Sequence, residues 1–237
     1  VRYKLAIFDF DGTLADSFGW FCRAVTLAAE RYRFRVARQE EVELLRGLDA
    51  RGIAQHLAIP AWKMPLIARF MRQHMSRELE EIRLFPGVGQ ALRELRQGGV
   101  TLAIVTSNAR PNVERVLGPD LSPLISHFGC GASLFGKRPK IRATLRRTGH
   151  RAAESIYVGD EIRDLHAARS EGLHFGAVSW GYTHLHGLSA HAPDAIFTSA
   201  EQLSAVLTGT FDSGSADRRG APAAPTDPTR TRAGLPE

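Results

Sequence analysis

The sequence predicts an α/β fold: a doubly wound parallel sheet with an all-helical segment inserted after its first strand. Short apolar runs recur at residues 5–10, 101–106, 155–158, 175–179 and 195–198, and such runs read as buried strands. Helical patterns separate most of them, an alternation that builds a parallel sheet covered on both faces. Residues 15–83 break the alternation and read as helical throughout.

The first strand ends on Asp9 and Asp11, followed by Gly12 and Thr13. Ser17 is placed to cap a helix carrying Phe21, Ala24, Val25 and Ala28, and Asp49 to cap another with Ile53 and Leu57. A longer stretch holds Leu66, Ile67, Phe70, Met71 and Leu79, with Pro65 confined to its first turn or a kink. A helix follows over residues 86–98, with Pro86 near its start, Val88, Leu92 and Leu95 on one face, and Gly98-Gly99 ending it. Further helices are expected over residues 141–148 and 162–169. The expected division is a core of residues 1–14 and 84–207, a helical insert of residues 15–83, and a disordered tail of residues 208–237, rich in Gly, Ser, Ala, Pro, Thr and Arg.

The chain has 237 residues, 43% of them hydrophobic and 24% charged, as in an ordinary globular protein. No apolar run approaches the roughly twenty residues a membrane helix needs, so no membrane partner is expected. The start lacks a signal-peptide layout, and Cys22 and Cys130 make no disulfide framework or ligand spacing. A reduced, cytoplasmic protein is the expectation. The net charge of +6 raises nucleic acid as a partner. The 27 arginines and four lysines are spread without a dense block, so no nucleic-acid partner is expected. His184, His186 and His191 follow Trp180-Gly181-Tyr182 without a cysteine or close acid, and read as a loop rather than a zinc site. Oligomeric state is not expressed in the sequence.

Four motifs carry chemistry. Asp9-Phe10-Asp11-Gly12-Thr13 sets two carboxylates where a strand opens into a crevice. One can act as a nucleophile and the other as a proton carrier, and hard oxygens suit a divalent cation. At the end of another strand, Thr106-Ser107-Asn108 offers hydroxyls and N–H groups to an anion. Phe135-Gly136-Lys137 precedes a helix and supplies a cation. Val158-Gly159-Asp160-Glu161-Ile162-Arg163-Asp164 runs from strand into helix, and Asp164 shares the face of Asp160 once the helix has begun.

In their order and settings these motifs resemble the haloacid dehalogenase superfamily, in its phosphoglycolate-phosphatase-like branch with a helical cap. The resemblance implies a Rossmann-like core and a Mg2+-dependent phosphatase acting on a small phosphorylated metabolite, such as phosphoglycolate or a sugar phosphate. It implies Asp9 as nucleophile, Asp11 as acid and base, and Lys137 as the cation that neutralises the phosphate. It further implies that Gly12, Thr106, Ser107 and Asn108 bind the phosphate. Asp9, the Asp11 carbonyl and Asp160 would hold the metal, with Asp164 in support. The family often has Pro-x-Pro after the lysine, whereas Arg138-Pro139-Lys140 stands here. Spacing to the fourth motif favours Lys137, leaving Lys140 as a solvated residue in a first helical turn. Arg46-Gly47 and Arg51 of the insert are candidates for gripping the leaving group; His56, Lys63 and His74 are weaker ones. Rival readings are a phosphomutase on the same core, a haloacid dehalogenase, which needs only the first aspartate, and a non-catalytic phosphate-binding module.

Overall fold

The computed structural model describes residues 3–46, 48, 50–131 and 136–209. The chain runs β1 (Leu5–Phe8), β2 (Ala15–Asp16), α1 (Phe18–Tyr32), α2 (Val42–Arg46), α3 (Ala50–His56), α4 (Met64–Met75), β3 (Arg83–Leu84) and α5 (Val88–Gln97). It continues through β4 (Thr101–Val105), α6 (Arg110–Leu121), β5 (Ile125–Gly129), α7 (Arg138–Thr148), β6 (Ser155–Gly159) and α8 (Ile162–Ser170), and ends with β7 (His174–Val178), α9 (Leu185–Ser189), β8 (Ala195–Phe197) and α10 (Glu201–Thr208).

Six strands form one parallel sheet in the order β5-β4-β1-β6-β7-β8. The strand β1 lies at its centre, with Phe8 paired to Ile104 of β4 and Val158 of β6. The order reverses at β1, and open α/β sheets form their crevice at such a switch point. The period-2 alternation of strand side chains splits the interior into two layers. Ala6, Phe8, Leu102, Ile104, Ile156 and Val158 face α5, α6 and α10. Leu5, Ile7, Ala103, Val105 and Tyr157 face α7 and α8. The sheet is therefore doubly wound, as expected.

Between β2 and β3 the described regular elements are all helical. The two short strands pair antiparallel, Ala15 with Leu84 and Asp16 with Arg83, so the insert leaves and re-enters through one hinge. Trp20, Met75, Leu79 and Ile82 join the core layer beneath, which seats the helical cap over the C-terminal end of β1.

Some local expectations need correction. The first strand stops at Phe8 because the Phe10 carbonyl accepts from the N–H groups of Thr13, Leu14 and Ala15, turning the chain. Ser17 begins α1 without capping it; its hydroxyl is used elsewhere. The strand β5 was not expected, since only Ile125 of its five residues is fully buried and no apolar run marks it. The helix α6 was also missed, for Gly118 (φ 71°, ψ 178°) breaks it just before Pro119. The loop expected around His186 contains the short helix α9. Asp49, Gly47, Phe135 and residues 210–237 of the expected tail lie outside the described residues.

Candidate active site

The strand β1 delivers Asp9 into the crevice, its N–H bonded to the Val158 carbonyl at 2.9 Å. Lys137, at the start of α7, reaches in from the neighbouring layer. Its Nζ lies 2.7 Å from Asp9 Oδ2 and 2.7 Å from Asp164 Oδ1, and all three side chains are buried. Burial opposes the ammonium charge, but Asp164 and Asp9 together hold Lys137 well above its ordinary pKa. Such a pair is strongly coupled in a low-dielectric interior, so removing the cation strands two carboxylates.

Asp160 follows β6. Its Oδ1 accepts from the Thr13 hydroxyl and its Oδ2 from the Tyr182 N–H, each at 2.8 Å. Burial, then the charges of Glu161 and Asp9, push its carboxyl up to about 8. Gly12 has φ 79°, and a Cβ there would collide with Asp160 and the Tyr182 ring, so only glycine fits this turn. Gly12 thus makes room for the acids.

Asp11 occupies a different environment. Ser17 donates to its Oδ1 at 3.0 Å and Asn108 Nδ2 to its Oδ2 at 3.0 Å. Burial, then the nearby Asp9 charge, raises its pKa to about 6. Two carboxylates at one strand end are therefore set apart: Asp9 ion-paired, Asp11 able to hold a proton near neutrality.

Thr106 is buried at the end of β4, and its Oγ1 accepts from the Asn108 N–H at 3.1 Å. Ser107 is exposed and lines a basic cleft of about 260 Å³ with Lys137, Arg138, Lys140 and Arg163. Asn108 serves Asp11, and Asn112 holds its amide oxygen at 3.0 Å. Lys140 is not the solvated residue expected. Its Nζ donates to the carbonyls of Thr106 (2.7 Å) and Gly131, bracing the β4 end from behind. Burial lowers its pKa.

From the cap, Arg46 reaches the core, donating to the carbonyls of Gly181 (2.8 Å) and Tyr182 (3.2 Å). Its guanidinium is thus spent on the cap–core joint. The side chain of Arg51 lies outside the described residues. His56 pairs with Glu41, His74 with Glu78, and Lys63 caps the carbonyl of Tyr32, all within the cap. His184 pairs with Glu43 at 3.0 Å.

Several residues at the site carried no role in the sequence reading. Trp180 Nε1 donates to the Thr13 carbonyl at 3.1 Å, Gly181 packs against Asp160, and the Tyr182 hydroxyl lies 2.7 Å from Ser17 Oγ. This strap after β7 ties Asp160 to the hinge that holds Asp11. An aromatic–Gly–aromatic run at the C-terminal end of a parallel strand was the available signal. Met75 of α4 contributes Sδ at 3.0 Å from Asn108 Nδ2, bringing the cap onto the same network.

Asp9, Asp160 and Asp164 present carboxylate oxygens within 4.8 Å of one another, the one such cluster among the described residues. Asp164 Oδ2 is buried with no hydrogen-bond partner. Of the three buried acids, Lys137 pairs with Asp9 and Asp164 only, and Asp160 and Asp164 are pushed upward by burial. This is a set of hard oxygen donors short of positive charge, and it fits a divalent cation.

A doubly wound sheet with buried acids at its switch point and a helical insert beside them places the site where open α/β enzymes bind their ligands. The model for the haloacid dehalogenase-like hydrolases matches residues 6–178. The chain is 32% identical to the phosphoglycolate phosphatase of Synechococcus elongatus over 203 residues, covering 85% of this chain and 96% of that protein. It is 30% identical to the phosphoglycolate phosphatase of Aliivibrio fischeri, covering 86% and 96%. A predicted phosphatase from Clostridium acetobutylicum shares the fold with a TM-score of 0.76 at 19% identity, covering 88% of this chain and all of that one. The chain belongs to the haloacid dehalogenase-like hydrolase family, in its phosphoglycolate-phosphatase-like branch. Among the described residues no helix is long and apolar enough to cross a membrane.

Proposed function

We propose that this protein hydrolyses a small phosphate monoester through an aspartyl-phosphate on Asp9, with Mg2+ as its cation. The chain is an enzyme of the phosphoric monoester hydrolase class. The observation that carries the mechanism is the electrostatic contrast between Asp9, paired to Lys137, and Asp11, raised to about 6. An Asp9 carboxylate oxygen attacks phosphorus while the ester P–O bond breaks, and Asp11 gives its proton to the departing oxygen. Asp11, now ionised, takes a proton from water; the water oxygen bonds to phosphorus and the Asp9–phosphorus bond breaks. Lys137 neutralises charge as anion meets anion, and the Ser107 N–H, with the Thr106 and Ser107 hydroxyls, holds the non-bridging oxygens. Asp9, the Asp11 carbonyl and Asp160 would hold Mg2+, with Asp164 in support. When bound, the ion supplies charge neutralisation and orientation at the phosphoryl group.

The relatives' names make phosphoglycolate the first substrate to try, with sugar phosphates next. The unpaired thiols of Cys22 and Cys130 agree with a cytoplasmic setting. The test is phosphate release from a panel of phosphorylated metabolites, with Mg2+ and with chelator, beside Asp9→Asn. Metal-dependent release lost in the variant is expected. Release that survives both chelation and Asp9→Asn would overturn the mechanism, and no release anywhere on the panel would overturn the activity.

A further inference from the structure

A half-open cavity of about 440 Å³ lies between the cap helices and the core, walled by Phe21 and Val25 of α1, Leu45 of α2, Ile53 of α3, and Ile67 and Met71 of α4. Its floor is the core: Glu161, Arg163, Tyr182 and Thr183. The floor adjoins the proposed chemistry at two points. Glu161 follows Asp160 in the chain, and the Tyr182 hydroxyl meets Ser17, which donates to Asp11. The proton carrier is thus one hydrogen-bonded residue from the cavity wall.

Of the polar groups around this space, the three arginines, Glu161, Thr26 and Tyr182 are already engaged. Arg23 is ion-paired with Glu81, Arg46 donates to the Gly181 and Tyr182 carbonyls, and Arg163 is paired with Glu161 at 2.6 Å. The Thr26 hydroxyl donates to the Cys22 carbonyl. A leaving group with a second anion needs an uncommitted cation, and one rich in hydroxyls needs uncommitted partners, because unpaired polar groups are costly to bury. The described arginines of the wall offer neither. A dry apolar space of ~150 Å³ already takes up a benzene ring, so this one has room for a larger group.

Resting on the phosphatase reading, we propose that the cap cavity is the leaving-group site and that it selects phosphate monoesters of compact apolar alcohols, aliphatic or aromatic. The phosphoryl group stays with Asp9 and Lys137, and the organic group enters the cap past Tyr182. This departs from the polar, carboxylate-bearing substrate that the relatives' names suggest.

The experiment compares kcat/KM for phenyl phosphate, methyl phosphate and phosphoglycolate on the Mg2+-loaded full chain, in wild type, Val25→Phe and Leu45→Ala. Val25→Phe fills the cavity from a wall residue, and Leu45→Ala enlarges it. Phenyl phosphate is expected to exceed both other esters by roughly tenfold or more, the scale of discrimination available to an apolar pocket. Val25→Phe should raise its KM by a similar factor while methyl phosphate changes by less than about twofold. Leu45→Ala should shift preference toward naphthyl phosphate, which keeps the test alive if the filled variant fails to fold. Phosphoglycolate preferred over phenyl phosphate, or a phenyl phosphate KM indifferent to a folded Val25→Phe variant, overturns the cavity assignment and leaves the phosphatase intact. No turnover of any ester overturns both.

Discussion

The sheet and the cap are built to different standards of packing. In β1, β4 and β6 nearly every side chain is sealed, and the layers on either side are continuous. In the cap, Trp62 is 69% exposed, Leu44 54% and Leu66 46%, and a half-open hollow lies between its helices and the core. The chemical groups sit on the tight part: Asp9, Asp160, Thr106 and Lys137 hang from strand ends or the helix starts beside them. The cap reaches only their neighbours, chiefly through Ser17 on Asp11, Arg46 on the Gly181 and Tyr182 carbonyls and Met75 beside Asn108. Rigid elements hold reacting atoms to fractions of an ångström, whereas a loosely filled cap can accommodate a different leaving group without disturbing them.

The sharpest way to break this contrast is to remove the cation in the tight half. Lys137→Ala should abolish turnover by about three orders of magnitude or more and destabilise the fold by about 3–5 kcal/mol, since it leaves Asp9 and Asp164 buried without a partner. Phosphate release and urea unfolding check both. Lys140→Ala, which loses only carbonyl contacts, should cost far less activity. Equal losses in the two variants would show that the motif lysine is not distinguished.

Packing gives the next largest effect. Leu95→Ala, in the sealed layer under α5, should cost about 2–5 kcal/mol. Leu45→Ala, beside an existing hollow, should cost about 1 kcal/mol or less because few contacts are lost. A cap variant as damaging as the core variant would contradict the difference in packing.

At the joint, Tyr182→Phe removes the hydroxyl next to Ser17 while keeping the ring against Phe18 and Phe21. A hydrogen bond worth about 1 kcal/mol corresponds to roughly a fivefold fall in kcat. The unfolding midpoint should stay nearly unchanged, and in a Ser17→Ala background Tyr182→Phe should add little, since the tyrosine acts through Ser17.

The smallest effect concerns acid. The Arg38 N–H, then Arg35, pull the Glu41 carboxyl of the cap from 4.5 down to about 2. A depressed acid supports the folded state above its unfolded pKa and loses that support as pH falls to the folded value. The contribution is therefore complete above about 4.5 and gone near 2. Hydrogen exchange should show cap helices opening across that window, and Glu41→Gln should remove this part of the pH dependence while β4 and β6 keep their protection.

Much of the core was legible because its signals are local. The apolar run ending in Asp9 and Asp11, the Gly12 turn, and the four-residue step from Asp160 to Asp164 each lie within a few residues of chain. Lys137 was favoured over Lys140 only through the family resemblance, whose usual separation from the fourth motif it matches more closely. What escaped were contacts joining distant segments with no local pattern: Asn108 to Asp11, Ser17 to Tyr182, Lys140 to the Thr106 carbonyl, Arg46 to Gly181. Ser17 shows the reason well. A serine before a helix reads as a cap, and only the fold reveals that an acid and a tyrosine hydroxyl compete for it.

The central claim is that Asp9 carries the phosphoryl group. The most direct measurement is acid-quenched mass spectrometry of Asp11→Asn mixed with Mg2+ and p-nitrophenyl phosphate, whose leaving group needs no acid, so that loss of Asp11 slows chiefly hydrolysis of the adduct. The account predicts one added phosphoryl group on the peptide containing Asp9, absent from the double variant that also carries Asp9→Asn. Released phosphate with no adduct on that peptide at any quench time would contradict it, and would mean that water attacks the ester directly.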